Sequence, residues 1–121
     1  MKANGEGLSR VLRAGLCSIA GLKAAWQCEA AFRQEVLLGF MLAILAGVLS
    51  HQLADWFHLV APIFLVLIAE LVNSAIEALA DRITQEWDEL IKRAKDIGSA
   101  AVFLSFMYLV FVWLGFVLVE V

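Results

Sequence analysis

The sequence predicts an all-α integral membrane protein, with an amphipathic surface helix followed by three transmembrane helices. Three observations carry this reading. Hydrophobic residues make up 63% of the 121 positions and charged residues only 17%, well under the roughly 25% of soluble domains. The apolar residues gather in three long stretches, and the Lys and Arg residues fall at only one set of ends of those stretches.

The clearest span is 97–119, 23 residues without a formal charge, enough to cross a hydrocarbon core of about 30 Å as a helix. A first span is predicted over about 30–49, ending where Ser50, His51 and Gln52 turn polar. The second, 57–80, is apolar except for Glu70, Asn73, Ser74 and Glu77. It carries Pro62 in what reads as its first turns, where early N–H groups lack partners and proline is tolerated. The connection 82–95 reads as a polar loop.

Ahead of these, over about 8–28, Leu8, Leu12, Ile19, Leu22 and Trp26 recur at helical spacing with Arg10 and Arg13 on the opposite face. Such a helix lies along the membrane surface, with its arginines among anionic lipid headgroups or phosphates. Lys and Arg occur at positions 2, 10, 13, 23 and 33 and again at 82, 92, 93 and 95, while the 50–57 hairpin has none. Positive charge is retained on the cytoplasmic side. The amino terminus and the 82–95 loop are therefore expected in the cytoplasm, and the hairpin and carboxyl terminus outside it.

Nine Lys and Arg against twelve Asp and Glu give no basic face for nucleic acid. Cys17 and Cys28 lie in a helical pattern without C-x-x-C or Cys/His spacing, so they read as small packing residues. The polar stretch 1–7 has no apolar leader core, and no cleavage is expected.

Glu70, Asn73 and Glu77 fall at i, i+3 and i+7 on one helical face, which Ser74 and Asp81 extend. Polar glue between helices is the plain alternative. It contributes only about 0.6 kcal/mol per contact, whereas an acid at a helix centre costs about 2.5–3.5 kcal/mol to insert. A functional site is the better explanation. Glu29 and Arg33, at i, i+4 beside Gln34 and Glu35, form a second cluster, for which an intrahelical salt bridge worth about 0.3–0.5 kcal/mol is the alternative. Lys95, Asp96 and Ser99 open the third span from the same side, where Lys95 could equally be a snorkelling anchor.

Acids from three helices and cations from two thus converge on one membrane boundary. Phosphoryl transfer uses such a set: hard oxygen ligands for a divalent cation, positive charge against phosphate, and a base for the attacking hydroxyl. Neither a Walker motif nor a glycine-rich protein-kinase loop is present. His51 and His58 lie at the other face from the acids, which argues against Ser/His/Asp hydrolysis.

The segments GLKAAWQCEAAFRQE (21–35), AELVNSAIEALADRI (69–83) and RAKDIGSAAV (93–102) resemble the small prokaryotic, Gram-negative-type diacylglycerol kinases along the whole chain. The resemblance implies a homotrimeric bundle in the bacterial inner membrane, with sites shared between neighbouring chains. It also implies transfer of the γ-phosphoryl of MgATP to diacylglycerol, giving phosphatidate. By position, Glu70 would be the general base and would touch the lipid, and Glu29 and Glu77 would hold Mg2+. ATP would be contacted by Glu29, Asn73, Glu77, Glu86, Lys95, Asp96 and Arg10, and the lipid substrate by Arg10, Arg33, Glu35 and Ser99. Cys17, Ile19 and Ala20 stand where the enterobacterial form has Tyr, Trp and Lys, and Asp88 where it has His, so altered affinity is expected there. An undecaprenol kinase of the same family is the nearest alternative. A non-enzymatic bundle or channel subunit is the alternative from another class, but the outer halves of the spans offer few polar residues to line a path.

Overall fold

The computed structural model describes residues 6–120 as four helices in chain order: α1 Leu8–Cys28, α2 Ala30–Leu49, α3 Leu53–Ile83 and α4 Glu89–Glu120. Lys2, one of the cations used to orient the chain, and Val121 lie outside them. The protein is all-α, and α2, α3 and α4 are each long and apolar enough to cross a membrane. Their lipid-facing sides carry large exposed apolar residues such as Phe40, Phe64, Phe103 and Phe111, as expected where the solvent is hydrocarbon.

α3 is the central helix, packing on α4 and on α2. Its start is set by a capping box. The Gln52 side chain accepts from the Asp55 backbone, while the Asp55 carboxylate accepts from the Gln52 and His51 N–H groups at 3.2 and 2.9 Å, satisfying donors a helix start leaves open. This earlier start corrects the placing of Pro62. It lies well inside α3 and is fully buried, so α3 continues past a missing bond to the His58 carbonyl. Two indoles tie the helices nearby: Trp113 Nε1 donates to the Leu59 carbonyl at 2.9 Å and Trp56 Nε1 to that of Ala43 at 3.0 Å.

The apolar core is a column on α3. Leu59 and Val60 meet Ala46 and Phe116 in one layer, and Ile63 and Val66 meet Leu109 in the next. α2 comes so close to α3 that a methyl group on Gly39 would sit 2.6 Å from Ile63 Cγ2, the close approach that small residues permit between membrane helices. Further along α3 the buried residues turn polar, at Glu70 and Asn73.

Two expectations are corrected. The 82–95 connection is irregular only over 84–88, because α3 reaches Ile83 and α4 starts at Glu89; Asp88 Oδ1 accepts from the N–H groups of Leu90 and Ile91, each at 3.0 Å, and so caps α4, as Asp does at helix starts. Cys17 and Cys28 are free and exposed and do not serve as packing residues within the chain. α1 has Ala25 as its one buried residue among those described. Its apolar residues Leu8, Leu12, Ile19 and Leu22 remain exposed, as a helix seated in headgroups requires.

Candidate active site

The polar end of α3 forms the floor of the site. Glu70 and Asn73 are 7% and 8% exposed, and Ser74 and Glu77 are half-buried beside them. The spacing explains the order: residues three and four apart stack on one face, and the Asn73 amide donates to Glu77 Oε1 at 3.1 Å. The second wall comes from the break between α1 and α2. Glu29 adopts an extended backbone there (φ −116°, ψ 105°), turning its carboxylate towards α3, where Oε1 accepts from the Ser74 hydroxyl at 3.1 Å.

Glu35, half-buried on α2, stands beside Glu70, and its Oε1 is buried with no hydrogen-bond partner among the described residues. Glu77 shares the Glu70 face of α3, where Asn73 holds it, and Glu29 reaches that face through Ser74. Four carboxylates from three segments therefore crowd one depth of the bundle. In low-dielectric surroundings such a group calls for a proton, a cation or both.

Arg33 does not pair with Glu29. Its Nη1 donates to the Trp26 and Gln27 carbonyls at 2.6 and 3.2 Å, covering acceptors that the end of α1 leaves open. The break is thus clamped from below by Arg33 and from the side by Ser74.

On the open side of the site, Lys95 Nζ lies 2.7 Å from Asp81 Oδ1. Asp96 pairs with Lys92 at 2.7 Å. Asp81, Glu86, Trp87, Lys92, Lys95 and Asp96 help line a hollow of about 360 Å³ at the α3–α4 connection. Ser99 is exposed on α4. Arg10 is exposed on α1, and its Cα is about 28 Å from that of Glu29 along the helix at about 1.5 Å per residue; within one chain it is not brought to the carboxylates.

The structure thus brings together Glu29, Glu35, Glu70, Asn73 and Glu77. It sets Glu86, Lys95 and Asp96 around the neighbouring hollow, turns the Arg33 guanidinium to the α1 carbonyls, leaves Ser99 exposed on α4, and does not bring Arg10 to the carboxylates. The sequence places Ser74 and Asp81 on the polar stripe without giving them a role; the structure makes them the partners of Glu29 and Lys95. Sequence reasoning missed Trp87, whose place beside the hollow depends on the tight 84–88 connection.

The sequence pattern described as prokaryotic diacylglycerol kinase matches residues 16–117. This chain belongs to that family. It is 42% identical to the diacylglycerol kinase of Escherichia coli (strain K12) over 113 residues, 93% of each chain. Against the diacylglycerol kinase of Pseudomonas aeruginosa it is 45% identical over 107 residues, 88% of this chain and 87% of that one. Against that of Helicobacter pylori (strain J99) it is 38% identical over 108 residues, 89% and 84% of the two. All the residues of the acidic cluster fall inside the region matched by the family. This family member is a kinase, and its polar cluster is embedded in an otherwise apolar bundle.

Proposed function

We propose that this membrane kinase transfers the γ-phosphoryl group of MgATP to the free hydroxyl of diacylglycerol, giving phosphatidate and ADP. The observation that carries the reading is Glu70: a buried carboxylate at the boundary between the apolar column and the polar end, ringed by Glu29, Glu35 and Glu77. An acceptor hydroxyl on a lipid arrives at such a boundary, and a phosphate donor arrives from the water side.

Glu70 takes the proton from the lipid hydroxyl as its oxygen attacks the γ-phosphorus; the new P–O bond forms, the bond to the β-phosphate oxygen breaks, and ADP leaves with that electron pair. Glu35 stands beside Glu70 and can hold the hydroxyl or share the proton. Glu29 and Glu77 would hold Mg2+, with Asn73 orienting Glu77 and Ser74 orienting Glu29. Among the described residues no three Asp, Glu, His or Cys side chains converge into a metal cage; two carboxylates completed by phosphate oxygens is the way proteins usually take Mg2+ with a nucleotide. When bound there, the ion would offset charge on the phosphates. Lys95, with Glu86 and Asp96 nearby, would contact the nucleotide in the hollow, and Ser99 and Arg33 would lie towards the lipid headgroup.

We infer the bacterial inner membrane as its location, with the α1 side and the site cytoplasmic, from the distribution of Lys and Arg. A homotrimer with sites shared between chains accounts for the distance of Arg10 from the carboxylates of its own chain. It also accounts for the small proportion of buried residues in α2 and α4.

The test is direct counting of lipid product from purified protein in mixed micelles with MgATP and either dioleoylglycerol or undecaprenol. Phosphatidate as the preferred product supports the proposal. Preference for undecaprenol keeps the site and changes the substrate, and no product from either lipid, in protein shown to be folded, returns the acidic cluster to a transport or assembly role.

A further inference from the structure

α4 passes close to α3 at Gly98, which is buried. A methyl group built on Gly98 would overlap Asn73 Oδ1, and would lie 3.4 Å from Asn73 Cγ and 3.5 Å from Ile76 Cδ1. The amide has little room to retreat. Asn73 is 8% exposed, and its Nδ2 is already committed to Glu77 Oε1 at 3.1 Å. Its Oδ1 is buried and accepts no hydrogen bond among the described residues, so what holds that end of the amide is contact with the glycine backbone.

The other close glycine differs in kind: Gly39 meets only the hydrocarbon of Ile63. Gly15, Gly21 and Gly115 meet nothing within 4 Å. Gly98 is therefore the described glycine whose bare Cα abuts a polar side chain of the site.

We propose that Gly98 is a positioning residue: its missing side chain seats the Asn73 amide, and the seated amide aims the Glu77 carboxylate. This rests on the reading of Glu77 as a metal ligand. A side chain at position 98 would push the amide off Glu77, leaving the carboxylate free to turn away from the direction that binding requires. Loss of such a supporting contact typically weakens metal affinity or activity by about 10–100-fold.

The test is Mn2+ binding, read by electron paramagnetic resonance on the full-length protein in micelles with a non-hydrolysable ATP analogue. Gly98→Ala is expected to weaken Mn2+ binding by about tenfold or more, while KM for diacylglycerol stays within about twofold. In an Asn73→Ala background, where the methyl group meets no amide, Gly98→Ala is expected to change Mn2+ affinity by less than about twofold, the non-additivity that marks residues acting through one contact. Wild-type affinity in Gly98→Ala, or equal losses in both backgrounds, overturns the proposal. Should Gly98→Ala alone fail to fold, the double variant against Asn73→Ala decides: equal affinities support the role, and a further loss overturns it. A wild-type protein that binds no Mn2+ with nucleotide and makes no phosphatidate removes the kinase reading itself, an outcome distinct from all of these.

Discussion

The Ser74 hydroxyl on α3 donates to Glu29 Oε1 at 3.1 Å, joining two residues 45 positions apart. It fixes a carboxylate that sits on an extended residue between two helices and would otherwise be free to turn. Ser74→Ala is expected to weaken divalent-metal activation by about tenfold, and stability by only about 0.5–1.5 kcal/mol. A Mg2+ titration of initial rate beside a thermal unfolding curve checks both. An unchanged Mg2+ requirement would mean that Glu29 needs no orienting partner.

Arg33 bonds the last carbonyls of α1 rather than an acid, so its removal should loosen the surface helix before it touches chemistry. Arg33→Gln is expected to raise KM for the lipid several-fold, with faster proteolysis after Lys23. A fall in kcat with KM unchanged would instead place Arg33 among the groups that contact the phosphates.

Lys95 and Asp81 are both substantially solvent-accessible in their pair, and exposed pairs add little to stability. Asp81→Asn should therefore leave the unfolding temperature nearly unchanged. Lys95→Met should raise KM for ATP by about 10–100-fold, the effect of removing one charge-assisted contact. If both variants lost stability equally and bound ATP normally, the pair would be structural.

Gly39 packs against Ile63 with no room for a methyl group. Gly39→Ala is expected to destabilise the bundle by about 1–3 kcal/mol, the usual cost of overpacking, and the double variant with Ile63→Ala should lose less than the sum of the two single losses. Additive losses would show that α2 and α3 do not meet there.

Much of this was legible in the sequence. The uncharged stretches announced three spans, and the i, i+3, i+7 stripe of Glu70, Asn73 and Glu77 announced the floor of the site, because both depend on local periodicity. What stayed hidden depends on contacts between segments. Glu29 and Arg33 have the spacing of an ion pair, yet the helix breaks at Glu29 and the exposed ends of α1 claim the guanidinium. Pro62 read as an early-turn proline because the Gln52–Asp55 capping box, which moves the start of α3 back to Leu53, is a pairing of side chain with backbone that leaves no apolar trace. Gly98 stands in the RAKDIGSAAV segment with nothing local to mark it, since only the position of Asn73 on another helix gives it a neighbour.

Substituting Glu70 by Gln, which keeps its shape and removes its ability to take a proton, tests the central claim most directly. With dioleoylglycerol and MgATP, and with folding matched to wild type, phosphatidate formation is expected to fall by about 10²–10⁴-fold, the contribution of a general base, while Mn2+–nucleotide binding persists. A Glu70→Gln protein that forms phosphatidate at more than about half the wild-type rate would contradict the account, since a base that contributes on that scale cannot be removed without a large loss.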